Sequence, residues 1–183
     1  MKEKGLSLIE ALITLSVIAV IALFARPQLL ELDSYRTQTR AYSISSLFGA
    51  GNNISLAAAA EVILCPSNND RDCVNSWNAS NWIVFLNSNG NSRRETDEPL
   101  LRRLPPDANT RVRFNGAVPR FLRWYATGHI NRAFSLTICP ASGKAERARV
   151  LIVNLQGRVR EGVDEDGDGL VEQADGSNAT CQG

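Results

Sequence analysis

Between Leu6 and Ala25 nearly every side chain is apolar or small, and the run carries a single acid, Glu10. At ~1.5 Å per residue, ~20 residues make a helix of roughly 30 Å, the thickness of the hydrocarbon layer of a bilayer. The run is too long for the apolar core of a secretory signal, and no small-x-small cleavage site follows it. Lys2 and Lys4 precede it, so the positive-inside bias places the N-terminus in the cytoplasm and everything beyond Arg26 on the other side. A carboxylate costs ~2.5–3.5 kcal/mol at the centre of such a span and less near an end, so Glu10 needs a partner or a use. Pro27 stands where the span should end and predicts a kink.

The stretch "KEKGLSLIEALITLSVIAVIAL" resembles the class III signal of type IV pilins and pseudopilins, in which a short basic leader ends in Gly. The resemblance implies a leader at residues 1–5, cut after Gly5 by a prepilin peptidase, and methylation of the new amino group on Leu6. It also implies that Glu10 pairs with the N-terminal amine of a neighbouring subunit, which agrees with the rule that a buried carboxylate is tolerated only when paired. Leu6 stands where that superfamily usually has Phe.

After a membrane-spanning segment at 6–26, residues 27–183 are enough for one globular core outside the cytoplasm. The segment "QLLELDSYRTQTRAYSISSLFGA" is amphipathic and predicts a helix, with Leu29, Leu32, Tyr35 and Leu47 as candidate core contacts. Gly49, Gly51 and Asn52–Asn53 weaken it. Then come β-rich runs separated by turn clusters: 62–65, 82–86, 111–114, 121–126, 134–139, 149–154 and 157–161. One long helix before a series of strands predicts an α+β fold, the helix packed on antiparallel sheet. "VILCPSNNDRDCVNSWNASNWIVFLNSNGN" and "FSLTICPASGKAERARVLIVNLQGRVR" resemble the two halves of the GspH/FimT domain of minor pilins and type II secretion pseudopilins. Residues 161–183 form an acidic extension that the resemblance does not cover.

Four cysteines allow three pairings, and zinc is disfavoured because no pair has C-x₂₋₄-C spacing and there is one His. Outside the cytoplasm disulfides are the default. Cys65–Cys73 would staple a polar loop, and Cys139–Cys181 would fasten the tail to a strand.

From Leu100 to Arg160 there are twelve Lys and Arg against two acids, and from Glu161 onward seven acids and no base. The near-neutral total therefore hides two opposed blocks. Clustered arginine is the footprint of phosphate binding, because the guanidinium fork bonds phosphate oxygens in pairs. A two-residue hairpin turn within Asn154–Gly157 would set Arg158 opposite Val153 and Arg160 opposite Leu151. Arg147 and Arg149 would then share their face, with Lys144 nearby. "GRVR" also matches the GRxR motif of FimT-type pilins, DNA receptors in natural transformation. That resemblance implies DNA contact by Arg158 and Arg160, with Gly157 shaping the turn. "DEDGDGLVEQAD" follows an EF-hand-like spacing with Asp164, Asp166, Asp168, Glu172 and Asp175 as candidate Ca²⁺ ligands, although no helix is evident before it and its last position is Asp rather than Glu.

The reading is a non-enzymatic minor pilin, held in the inner membrane with its domain in the periplasm and then carried on a surface pilus. Its expected partners are other pilin subunits, prepilin peptidase and the phosphate backbone of DNA, and it requires no cofactor beyond candidate Ca²⁺. The alternative is a structural minor pilin or a type II secretion pseudopilin acting in filament-tip assembly without DNA.

Overall fold

The computed structural model describes residues 7–182, and among these the side chains of all but residues 24–31. The leader and the Gly5–Leu6 junction lie outside what is described, while Pro27, where a kink is expected, lies inside the first helix. Helix α1 covers Leu8–Ala58. Ser7 caps it: the Ser7 amide and hydroxyl donate to the Glu10 carboxylate at 2.9 and 3.0 Å, while the Glu10 amide donates back to the Ser7 hydroxyl. This reciprocal box satisfies donors that a helix start leaves unpaired. The apolar side chains of Leu8, Ile9, Leu12, Ile13, Leu15 and Leu23 are all exposed. Among the described residues no helix is long and apolar enough to cross a membrane.

Further along, Thr37, Arg40, Ala41, Ile44, Leu47, Phe48, Gly51 and Ser55 are buried, the three-and-four spacing of a helix lying on a core. The glycines and asparagines that weaken this stretch on propensity do not end it, because tertiary contacts hold them. A Cβ on Gly51 would sit 2.9 Å from the Trp124 ring, so only glycine lets that ring lie flat against the helix. The Asn52 amide donates to the Gly128 carbonyl at 2.6 Å and the Gln156 carbonyl at 3.1 Å. The helix stops where Ala59 turns left-handed and its N–H bonds back to Leu56.

Eight strands follow: β1 Glu61–Ser67, β2 Asn81–Asn87, β3 Leu100–Leu104, β4 Thr110–Phe114, β5 Leu122–Trp124, β6 Phe134–Pro140, β7 Arg149–Val153 and β8 Val159–Glu161. They form two four-stranded antiparallel sheets, ordered β3-β2-β1-β5 and β4-β6-β7-β8. The α+β class is present with two sheets. β3, "LLRRL", is absent from the sequence expectation because two adjacent arginines break the alternation of a half-buried strand. Phe48 joins the layers, its ring 6.5 Å from Trp82, 6.2 Å from Trp124 and 5.7 Å from Phe134. The Ile130 amide links the first sheet's hairpin to the Leu155 carbonyl at 3.0 Å.

Cys65–Cys73 and Cys139–Cys181 are both closed. The chain after Gly162 lies across the face of the second sheet that points away from α1. Gly162 N–H donates to the Val150 carbonyl at 2.8 Å and Ala174 N–H to Ser135 Oγ at 3.0 Å. Beneath this strap Ala148, Val150, Ile152 and Ala179 form a small separate core with Val171 and Cys181.

Candidate nucleic-acid interface

The β7–β8 hairpin decides where the arginines point. Asn154 N–H donates to the Arg158 carbonyl at 3.1 Å, Gly157 N–H to the Asn154 carbonyl at 2.9 Å, and Arg158 N–H to Asn154 Oδ1 at 3.0 Å. Three residues, 155–157, therefore lie between the paired positions, and Gly157 takes the left-handed conformation that such loops need, with φ +72°. The loop is one residue longer than the sequence reading allowed. Val153 consequently faces Val159, Ile152 faces Arg160 and Leu151 faces Glu161.

That single step separates the predicted arginines. Arg158 and Arg160 stand exposed on the outer face, away from α1, beside Asn154 and Ile152. Arg149 pairs with Ile138, whose side chain belongs to the helix-side core, so it points the other way. Arg147 sits in a 3-10 turn, Ala145–Arg147. Its Nη1 donates to Ser34 Oγ on α1 at 3.2 Å, and its carbonyl accepts from Thr37 Oγ1 at 2.8 Å. Lys144 is exposed in the preceding turn. The expected common face of Arg147 and Arg149 with Arg158 and Arg160 is therefore corrected: the register sends the two groups to opposite sides.

Two other arginines take their place. Arg111 faces Cys139 and Arg113 faces Thr137, which in turn faces Val150. Register across the sheet thus puts Arg111 and Arg113 on the same outer face as Arg158 and Arg160. The sequence signal was there, since both pairs are spelled Arg-Val-Arg. Arg113 Nη1 donates to the Gln182 carbonyl. Among the described residues the ion pairs, Arg93–Asp72, Arg103–Asp70 and Arg123–Glu61, all lie at the first sheet and its loops.

The acidic loop is built from its own backbone. Asp164 accepts from Gly167 and Gly169 N–H at 2.7 and 2.9 Å, and Asp166 from Asp168 N–H at 3.1 Å. Glu172, largely buried, accepts from Glu165 N–H at 3.0 Å. Carboxylate oxygens of Asp164, Asp166 and Glu172 lie within 4.8 Å of one another. The other two predicted ligands are not in this group. Asp168 accepts from Asn178 Nδ2 at 2.6 Å. Asp175 accepts from Ser177 Oγ at 2.7 Å and Asn115 Nδ2 at 3.0 Å, bonds that hold its carboxyl down at about 2. The five-ligand set reduces to three. An all-oxygen set of this kind fits a hard cation such as Ca²⁺.

The sequence model of the family described as Type II transport protein GspH matches residues 53–157, more than half of the chain. The chain belongs to the GspH family. Among solved structures this GspH-family chain is similar to the type IV minor pilin FimU of Pseudomonas aeruginosa, at 14% identity and a TM-score of 0.56, covering 81% of this chain and 96% of that one. A second crystal form of FimU gives 14%, 0.53, 69% and 92%. The minor pseudopilin EpsH of the Vibrio cholerae type 2 secretion system gives 11%, 0.49, 68% and 94%. At such identities the FimU likeness is one of fold. No curated protein matches the sequence. The family match ends at Gly157, so Arg158, Arg160 and the acidic strap all lie beyond it.

Proposed function

We propose that this GspH-family chain is a minor pilin of a type IV pilus that binds DNA through its phosphates during uptake. On this reading the peptidase cuts after Gly5, Leu6 is methylated, and residues 6–26 hold the chain in the inner membrane. Glu10, capped within its own chain by Ser7, then exchanges that cap for a neighbour's amine in the filament. Residues 27–183 are the exported domain. One observation carries the DNA reading: Arg158 and Arg160 are side by side and exposed on a hairpin end, and among the described residues neither has an acidic partner. Binding of this kind releases counterions and ignores base sequence.

The test uses the full chain in detergent micelles and a fluorescent duplex. Affinity should fall with salt, and Arg158→Ala/Arg160→Ala should flatten the slope of log K against log[salt] by about 2. An unchanged slope would remove the proposal. The second reading, a structural minor pilin or type II secretion pseudopilin without DNA contact, is favoured by the acidic layer packed on the same sheet face.

Asp164, Asp166 and Glu172 would hold Ca²⁺, which would fix the loop and offset part of its charge. The chain direction carries this loop away from the Arg158 turn and toward the Ser142–Glu146 turn, where Leu170 and residues 178–182 line a hollow beside Lys144. Calcium at ~1 mM should raise the melting temperature above that in chelator, by an amount set by its occupancy. Equal melting temperatures would argue against the site.

A further inference from the structure

The outer face of the second sheet carries a charge arrangement that neither DNA-contact residue explains alone. Arg111 and Arg113 mark its β4 side, and Arg158 and Arg160 its β8 side, three strand spacings or about 14 Å away. Between them lies the strap. It is anchored at both ends and in the middle. Gly162 bonds β7, Ala174 bonds Ser135 on β6, Asp175 accepts from Asn115, Gln182 accepts from Arg113, and Cys181 is joined to Cys139. The strap holds six acids and no base, of which only Glu172 is buried, while Glu161 at the end of β8 faces the other way, opposite Leu151 and in reach of Gln38 on α1. The exposed acids of the strap therefore sit on the same sheet face as these arginines, and among the described residues none forms an ion pair with Arg111, Arg158 or Arg160. A polyanion reaching both arginine pairs must lie over this negative layer.

We propose that the polyanion surface of this chain is the whole outer face of the second sheet, Arg111 and Arg113 together with Arg158 and Arg160, and that the acidic strap latched across it is a built-in competitor that lowers its affinity. This rests on the DNA-binding reading and extends it in two ways. It adds β4 to the contact surface, and it gives the extension a role. The strap competes by its field, since the disulfide and the core under Val171 and Ala179 keep it in place.

The experiment neutralises strap charge without touching the anchors or the three clustered carboxylates. The full chain in micelles carrying Glu165→Gln/Asp168→Asn is compared with the unaltered chain for binding of a short fluorescent duplex at ~20 mM salt. The double variant should bind several-fold more tightly, with the difference shrinking as salt rises. Arg111→Glu in the double variant should lower affinity several-fold, as Arg160→Glu does. Equal affinity of the double variant and the unaltered chain would leave DNA binding standing and overturn the competing strap. No binding by either protein would overturn the DNA reading and this inference with it. Binding lost with Arg160→Glu but indifferent to Arg111→Glu would remove β4 from the surface.

Discussion

Gly157 shows how one residue fixes the functional surface. Its left-handed backbone sets the length of the hairpin loop, and no other residue fits the space. A Cβ there would crowd the Asn52 side chain, the Gly128 carbonyl at 2.7 Å and the Trp124 indole nitrogen at 2.9 Å. Gly157→Ala should therefore cost about 2–4 kcal/mol in chemical denaturation, combining strained backbone and overpacking. Gly176→Ala, with φ +80° and open space around it, should cost about 1 kcal/mol. Equal costs would mean that the crowding at Gly157 is not felt. Asp175 gives a pH test on the same scale. Its carboxyl lies below its ordinary 3.8, at about 2, chiefly through the Ser177 hydroxyl and the Asn115 amide. The ionised form is the one the fold favours, so its contribution is complete above about pH 4 and is lost as pH falls toward 2. The melting temperature of Asp175→Asn should lie below that of the unaltered chain at pH 6, with the gap narrowing between pH 4 and 2. A gap independent of pH would contradict this account.

At the scale of elements, every strand but β3 and both disulfides were legible because alternation, turn residues and spacing are local signals. The register was not. Whether Asn154 to Arg158 closes over two residues or three depends on Gly157 meeting Asn52 and Trp124, contacts from distant parts of the chain that no local window contains. The same holds for α1: Gly51 and Asn52 read as helix breakers until Trp124 and Gly128 are placed against them. The extension's acids were plain in the sequence, but its packing as a third layer hangs on Val150 and Ile152. These two read as ordinary strand residues. The two disulfides should differ in weight. Cys139–Cys181 closes 42 residues and Cys65–Cys73 closes 8. On chain entropy, removing the first by paired Cys→Ser changes should cost about 4 kcal/mol and the second about 2.5 kcal/mol. The reverse order would show that the strap is held mainly by its noncovalent contacts.

For the whole molecule, the main core is one cluster of aliphatic and aromatic side chains held between α1 and the two sheets. Phe48 touches both sheets, so Phe48→Ala should destabilise by about 3–5 kcal/mol in a single cooperative transition. Two transitions would mean that the sheets fold independently. This rigid body presents Arg158 and Arg160 to solvent beside the acidic strap and sends Arg147 and Arg149 to the helix side of the second sheet. The most direct test of the account follows the arginine side chains themselves. Nε–Hε signals of the ¹⁵N-arginine-labelled full chain in micelles would be recorded while a short DNA duplex is added. Arg158 and Arg160 should shift first, Arg111 with them at low salt, and Arg147 and Arg149 should stay where they are. Shifts at Arg147 and Arg149, or none at Arg158 and Arg160, would contradict it.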